Sequence, residues 1–149
     1  GFGVLGCWFM SAFENATKYF HACESLEGWE GCKQYVAEGA GFGGQCEALA
    51  DISTLEAYTE WMAGLGKGPL VGCSYVINGS GWDEENRMAV FFGTITGSHN
   101  GEGGPVPPTG KETQTDYVYA CKMNADDKVE FMTKVWNVSW TLRDLGWAA

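Results

Sequence analysis

His99 and Asp116 are the pair of side chains whose types and placement could move a proton at carbon. They flank a loop in which Gly103, Gly104, Pro105, Pro107, Pro108 and Gly110 gather most of the prolines of the chain. Fixed φ at proline and permissive φ at glycine specify a shaped connection there. Removing a proton beside a carbonyl requires a base tuned toward the working pH and a group that steadies the developing enolate oxygen. A carboxyl inside an apolar cavity has its pKa raised by desolvation, and a neighbouring imidazole can hold the oxygen or share the proton. Each residue also has a plainer role. Asp116 suits a solvated strand position paired with Lys111 or Lys134, and His99 suits a loop entry bonded to backbone.

Aromatic side chains could form the walls of such a cavity. Tyr35, Trp61, Tyr75, Phe91, Tyr119 and Trp136, together with Asn137, are the candidates for ligand contact, with Trp82 and Trp140 as further possibilities, although aromatics at helix and strand spacing also build ordinary cores. No cofactor is expected. The GEGGPVPPTG loop lacks the strand–loop–helix context of a phosphate cradle. His21, Cys23 and Cys32 lack metal-ligand spacing, so no metal site is expected either.

Helices and strands must position these groups. Over residues 7–25, Phe9, Ala12, Phe13, Ala16, Phe20 and Cys23 recur at helical spacing and predict an amphipathic helix. Trp29, Cys32, Tyr35 and Val36 predict a second, short helix ending near Gly39. Residues 42–49 read as a short strand or an irregular link. The run S-T-L-E from Ser53 to Glu56 is a capping box, with Ser53 as the cap, opening a third helix whose stripe is Leu55, Tyr58, Met62 and Leu65.

After Pro69 the hydrophobic period changes from 3.6 to 2. Val71, Cys73, Tyr75 and Ile77 share one strand face, and Ala89, Phe91, Gly93, Ile95, Gly97 and His99 share a face of the next. Strands over 113–123 and 128–138 flank the turn Asn124-Ala125-Asp126-Asp127. Alternation separates Asp116, Val118 and Ala120 from Tyr117, Tyr119 and Cys121, without saying which set faces inward. Residues 139–145 close the chain as a short helix or turn. About three N-terminal helices followed by antiparallel strands predict an α+β fold in which helices cover a strongly bent, cone-shaped sheet enclosing a pocket. Gly93 and Gly97 are candidate points of bending.

The 149 residues suit a single domain, 1–149. Their formal charge of −10 and scattered Lys and Arg argue against nucleic acid and anionic lipid as partners. No apolar run approaches the roughly 18 residues of a membrane span, so a soluble protein is expected. Six cysteines without Cys-x-x-Cys pairs suit a reducing compartment, cytoplasmic or stroma-like. Sequons at Asn15, Asn78 and Asn137 read as chance matches. A first residue Gly1 is compatible with processing from a precursor.

The pattern G-x-H-x-G-x-x-G-x-x-P-P-T-G-K from Gly97 to Lys111, followed by Asp116 and the strand K-V-E-F-M-T-K-V-W-N, resembles the SnoaL-like polyketide cyclases of the nuclear transport factor 2-like superfamily. The ending L-R-D-L-G-W is similar to the close of that group. The resemblance implies a cone-shaped, cystatin-like roll over nearly the whole chain, a homodimer, and a histidine and aspartate as the acid/base pair, here His99 and Asp116. It also marks two departures. Asn137 follows the final-strand tryptophan where many relatives carry an acid, and Tyr119 stands where they carry arginine. Both would alter the polarity of the cavity. Two functions are therefore expected: a small cofactor-independent cyclase, isomerase or lyase acting on an apolar carbonyl compound, or a non-catalytic ligand-binding or assembly subunit of a larger complex.

Overall fold

Alternation from residue 74 onward builds a sheet, and the apolar stripes of the helices cover one face of it. The computed structural model describes the backbone of residues 2–148 and the side chains of residues 12–148. Helix α1 runs Phe2–Glu24, α2 runs Gly28–Cys32, and α3 runs Leu55–Lys67. Strands are β1 Val36–Gly44, β2 Ser74–Asp83, β3 Met88–Ser98, β4 Glu112–Met123 and β5 Val129–Trp136, and α4, Val138–Leu145, follows. The expected stripe of the first helix is buried at Ala12, Ala16, Phe20 and Cys23. Its members Cys7 and Phe9 lie outside the described side chains.

The sheet order is β1-β5-β4-β3-β2. The pairs β2–β3, β3–β4 and β4–β5 are antiparallel, but β1 lies parallel to β5, so the expected antiparallel sheet is a mixed one. Strand β1 falls where the end of a helix and then a short strand or irregular link were expected. The run A-E-G-A-G-F-G-G carries no clean period, and glycine is there for fit. A Cβ on Gly41 would sit 2.7 Å from the Phe131 ring, so the side chain of β5 occupies the space that β1 leaves free. The sheet stays open at β1 and β2, with register shifts between Ile77 and Gly79, between Lys122 and Met123, and between Val36 and Gly41.

Two local readings are corrected. Thr54, and not Ser53, caps α3, its hydroxyl accepting from the Ala57 N–H at 3.2 Å. Val71 lies outside β2, half exposed in the turn before it. The β4–β5 hairpin closes as expected. The Asn124 side chain accepts from the N–H groups of Asp126 and Lys128, an Asx turn that leaves Asp127 at φ 59°.

The core lies between the helices and the inner sheet face. Tyr19, Phe20, Tyr58, Phe91 and Tyr119 are its largest fully buried members, and Met132 is also fully buried. Tyr117, Tyr119 and Cys121 thus face inward, and Asp116 faces outward.

Candidate active site

Glu24, the last residue of α1, falls four positions after Phe20 on the buried stripe, so its carboxyl enters the core where an apolar side chain would ordinarily sit. It is only 4% exposed, and neither carboxylate oxygen has a hydrogen-bond partner among the described residues. Lys134 occupies the inward register of β5 between Met132 and Trp136 and is 6% exposed. Its Nζ lies over five aromatic rings, 4.8 Å from the centroid of Trp136, 5.2 Å from Tyr58, 5.4 Å from Trp61, 5.6 Å from Tyr117 and 5.9 Å from Tyr119. Such a ring of π-faces attracts a cation by its quadrupoles.

Glu24, Tyr117 and Lys134 line one chamber, together with Thr113, Thr141 and Trp136. The space open to the centre of a water-sized sphere is about 10 Å³, room for one water. Leu65 and Trp136 also border an apolar vestibule of about 250 Å³, whose outer wall is Pro69, Pro105 and Trp147. The proline-rich loop therefore forms part of the rim.

Burial raises the pKa of the Glu24 carboxyl, opposed first by the nearby Lys134 charge and then by the Tyr119 and Tyr117 hydroxyls. Those hydroxyls favour the ionised form, although neither completes a hydrogen bond to the carboxylate, whose two oxygens are both unpartnered among the described residues. Burial lowers the pKa of Lys134, with Glu24 pulling it back up. Burial likewise raises Tyr117, so its phenol remains a donor. The Tyr119 hydroxyl is engaged with that of Tyr58 at 2.6 Å. On the far wall, Trp136 donates to Thr141 at 3.0 Å and Thr141 to Thr115 at 2.8 Å. Thr115 meets Thr113 at 2.7 Å, and Thr113 donates to Asp144 at 2.9 Å.

The structure does not bring His99 and Asp116 together. Asp116 is exposed on the outer sheet face, where its carboxylate accepts from the Thr94 hydroxyl at 2.7 Å. Asp116 pairs with Thr94, and His99 lies five residues beyond Thr94, so the two are separated by about 17 Å along the strand as well as by the sheet. His99 is fully buried behind the vestibule wall. Its Nδ1 accepts from the Trp147 indole at 2.9 Å and the Thr109 N–H at 3.2 Å, which places the proton on Nε2. Nε2 is unpartnered and abuts Gly104, where a Cβ would approach to 2.8 Å.

Of the other expected contacts, Trp61, Tyr119 and Trp136 gather around Lys134. Phe91 is core, stacked on Phe20. Tyr75 lies away from the chamber, bonded to His21 at 2.8 Å and Ser25 at 3.3 Å. Tyr35 is half-buried at the core edge, and Asn137 is exposed at the start of α4. Glu24 and Lys134 were missed because a charge suggests solvent, although each stands at a spacing reserved for buried residues. Among the described residues no acidic, histidine and cysteine cluster is suited to a metal, Cys23, Cys32, Cys46, Cys73 and Cys121 are free, and no helix is long and apolar enough to cross a membrane.

No protein-family profile and no curated protein sequence matches the chain. Solved structures do. AclR of Streptomyces galilaeus, a candidate hydroxylase, is similar at a TM-score of 0.73 and 18% identity, over 95% of this chain and 99% of that one. A candidate SnoaL-like polyketide cyclase from Jannaschia sp. CCS1 is similar at 0.75 and 15%, over 94% of each chain. IdmH of Streptomyces antibioticus, a candidate polyketide cyclase, is similar at 0.71 and 13%, over 91% of this chain and 98% of that one. What this likeness establishes is the architecture: the chain has the α+β fold of the SnoaL-like proteins of the nuclear transport factor 2-like superfamily.

Proposed function

We propose that this protein is a cofactor-independent acid/base enzyme that removes a proton beside the carbonyl of an apolar compound, with Glu24 as the base. The observation that carries this reading is a buried carboxyl, both oxygens unpartnered, on a chamber it shares with a buried lysine and an unpartnered phenol. A folded chain leaves such groups unsatisfied at a cost of about 1–3 kcal/mol each, a cost expected where a ligand completes the set. The carbonyl oxygen fits the space of about one water in this chamber, facing Lys134 and Tyr117 as donors. The apolar remainder lies in the vestibule against Trp61, Pro69, Pro105 and Trp147. Glu24 then draws off the adjacent proton while the ammonium and phenol hold the enolate charge. Cyclisation, isomerisation and elimination all begin from that enolate.

In this reading His99 is a positioning residue that fixes the loop and Trp147, and Asp116 takes no part in the chemistry. The test is exchange of the α-protons of apolar ketones and β-diketones with D₂O, followed by NMR. Wild type should accelerate exchange, and Glu24→Gln should lose about 10²- to 10⁴-fold of it. Equal rates for the two proteins would remove Glu24 from the mechanism, and binding of the ketones without exchange would favour the ligand-binding function.

A further inference from the structure

The acid/base reading uses Lys134 only as a charge, yet its surroundings suit a more specific role. Its Nζ engages in no ion pair among the described residues, whereas Lys18 and Lys33 each meet a glutamate at the surface. Lys134 lines the inner chamber and also a second cavity of about 200 Å³ beside Gln45 and Cys46. The aromatic ring around it stabilises any cation centred on that nitrogen, an iminium as well as an ammonium.

We propose that Lys134 is a catalytic nucleophile that condenses with the carbonyl carbon of the substrate, an apolar aldehyde or ketone, to form an iminium through Nζ. The proposal rests on the acid/base reading of the same chamber and assigns it a covalent intermediate.

The step balances with the groups present. The neutral amine attacks the carbonyl carbon, and the C–N bond forms as the π electrons move to oxygen. One nitrogen-bound proton is relocated to that oxygen, giving a carbinolamine. The hydroxyl then leaves as water, taking a proton from the protonated Glu24 carboxyl, and the nitrogen lone pair closes the C=N bond. Amine, carboxylic acid and carbonyl thus become iminium, carboxylate and water, with no change in oxidation state. The carboxylate so produced stands ready to take the adjacent proton, converting the iminium into an enamine. Burial of Lys134 favours the neutral amine that this sequence requires.

The test is reductive trapping on the wild-type chain, with hexanal as the carbonyl probe and sodium cyanoborohydride as the reductant, near neutral pH, followed by peptide mass mapping. The expected result is a secondary amine at Lys134 formed about tenfold faster than at any surface lysine, reflecting a larger neutral fraction. Lys134→Met should lose that adduct alone. Adducts confined to surface lysines such as Lys18 and Lys33, with Lys134 unmodified in the folded wild type, would overturn the proposal. Proton exchange separates the two ideas. If Lys134 is not trapped while Glu24-dependent exchange persists in wild type, the iminium is excluded and the general-base reading stands. Trapping at Lys134 with exchange unaffected by Glu24→Gln would instead support the covalent lysine and remove Glu24 as the base.

Discussion

At the residue scale, Glu24 and Lys134 make opposite demands on pH. Glu24 has a folded pKa raised above its unfolded value, about 4.3, chiefly by burial. Its contribution to stability is therefore full below that value and is lost as pH rises through the folded pKa. Lys134 has a folded pKa lowered by burial, so its contribution is present above about 10.4 and is lost as pH falls through the folded pKa. Denaturant titrations across pH should show the stability of wild type relative to Glu24→Gln falling as pH climbs above the ordinary carboxylate range. A difference that stays flat would mean that Glu24 titrates as though exposed. Because the Lys134 charge opposes the effect of burial on Glu24, Lys134→Met should move the Glu24 carboxyl pKa further upward, which ¹³C NMR of labelled glutamate reads directly. Replacing both groups by apolar residues, Glu24→Leu with Lys134→Met, should leave stability unchanged or raise it by up to about 4 kcal/mol while abolishing proton exchange. Both residues were legible as exceptions in the sequence: an acid four places after Phe20, and a lysine two places from Met132 and from Trp136. Pattern alone does not separate such an exception from a solvated charge, because the depth of the cover over each position is set by α3 and β5 together.

Elements decide what those residues can reach. The loop leaving β3 is held at three points: Gly101 donates to the Pro69 carbonyl at 3.1 Å, His99 accepts from Thr109 and Trp147, and the Thr109 hydroxyl donates to the Leu145 carbonyl at 2.7 Å. The first of these leaves no room for a side chain, since a Cβ on Gly101 would lie 1.9 Å from the Gly68 carbonyl oxygen. Gly101→Ala should thus cost about 2–3 kcal/mol and loosen the vestibule rim, readable as a lowered Tm with weakened ketone binding. A normal Tm would mean that the loop moves aside freely. The proline and glycine content foretold a shaped loop, and the alternation on β3 placed His99 on one face with Ala89, Phe91 and Ile95, a face the structure turns inward. That His99 and Asp116 lie on opposite faces followed from period 2 only once the strand register was known. The resemblance joined them, and the register separates them. Strand β1 was obscured because Gly41 clears the Phe131 ring, a contact ninety residues distant in sequence, about which no local period carries information.

Across the whole molecule, the helices cover only the inner face of the sheet. On the outer face Phe92 of β3 lies beside Val118 of β4, and Val118 beside Val135 of β5, while Val90 pairs with Ala120 one step along. Val135 is 61% exposed and Phe92 42%. Such a contiguous apolar row on a chain of net charge −10 is unlike scattered surface apolar residues, because charge repulsion suppresses random association and leaves a matched apolar face as the favoured contact. We infer a dimer of two copies packed through this face, with the chambers directed away from each other. Light scattering should report twice the 16.2 kDa chain mass, and Phe92→Glu or Val135→Glu should return the monomer with the chamber intact. Proton exchange in that monomer should stay near the wild-type rate, because Glu24, Lys134 and Tyr117 all face the opposite side of the sheet. A wild type that is monomeric at every concentration would sink the dimer. A monomeric variant that loses exchange would show that the outer face and the chamber are coupled through β4 and β5, the two strands that carry residues of both.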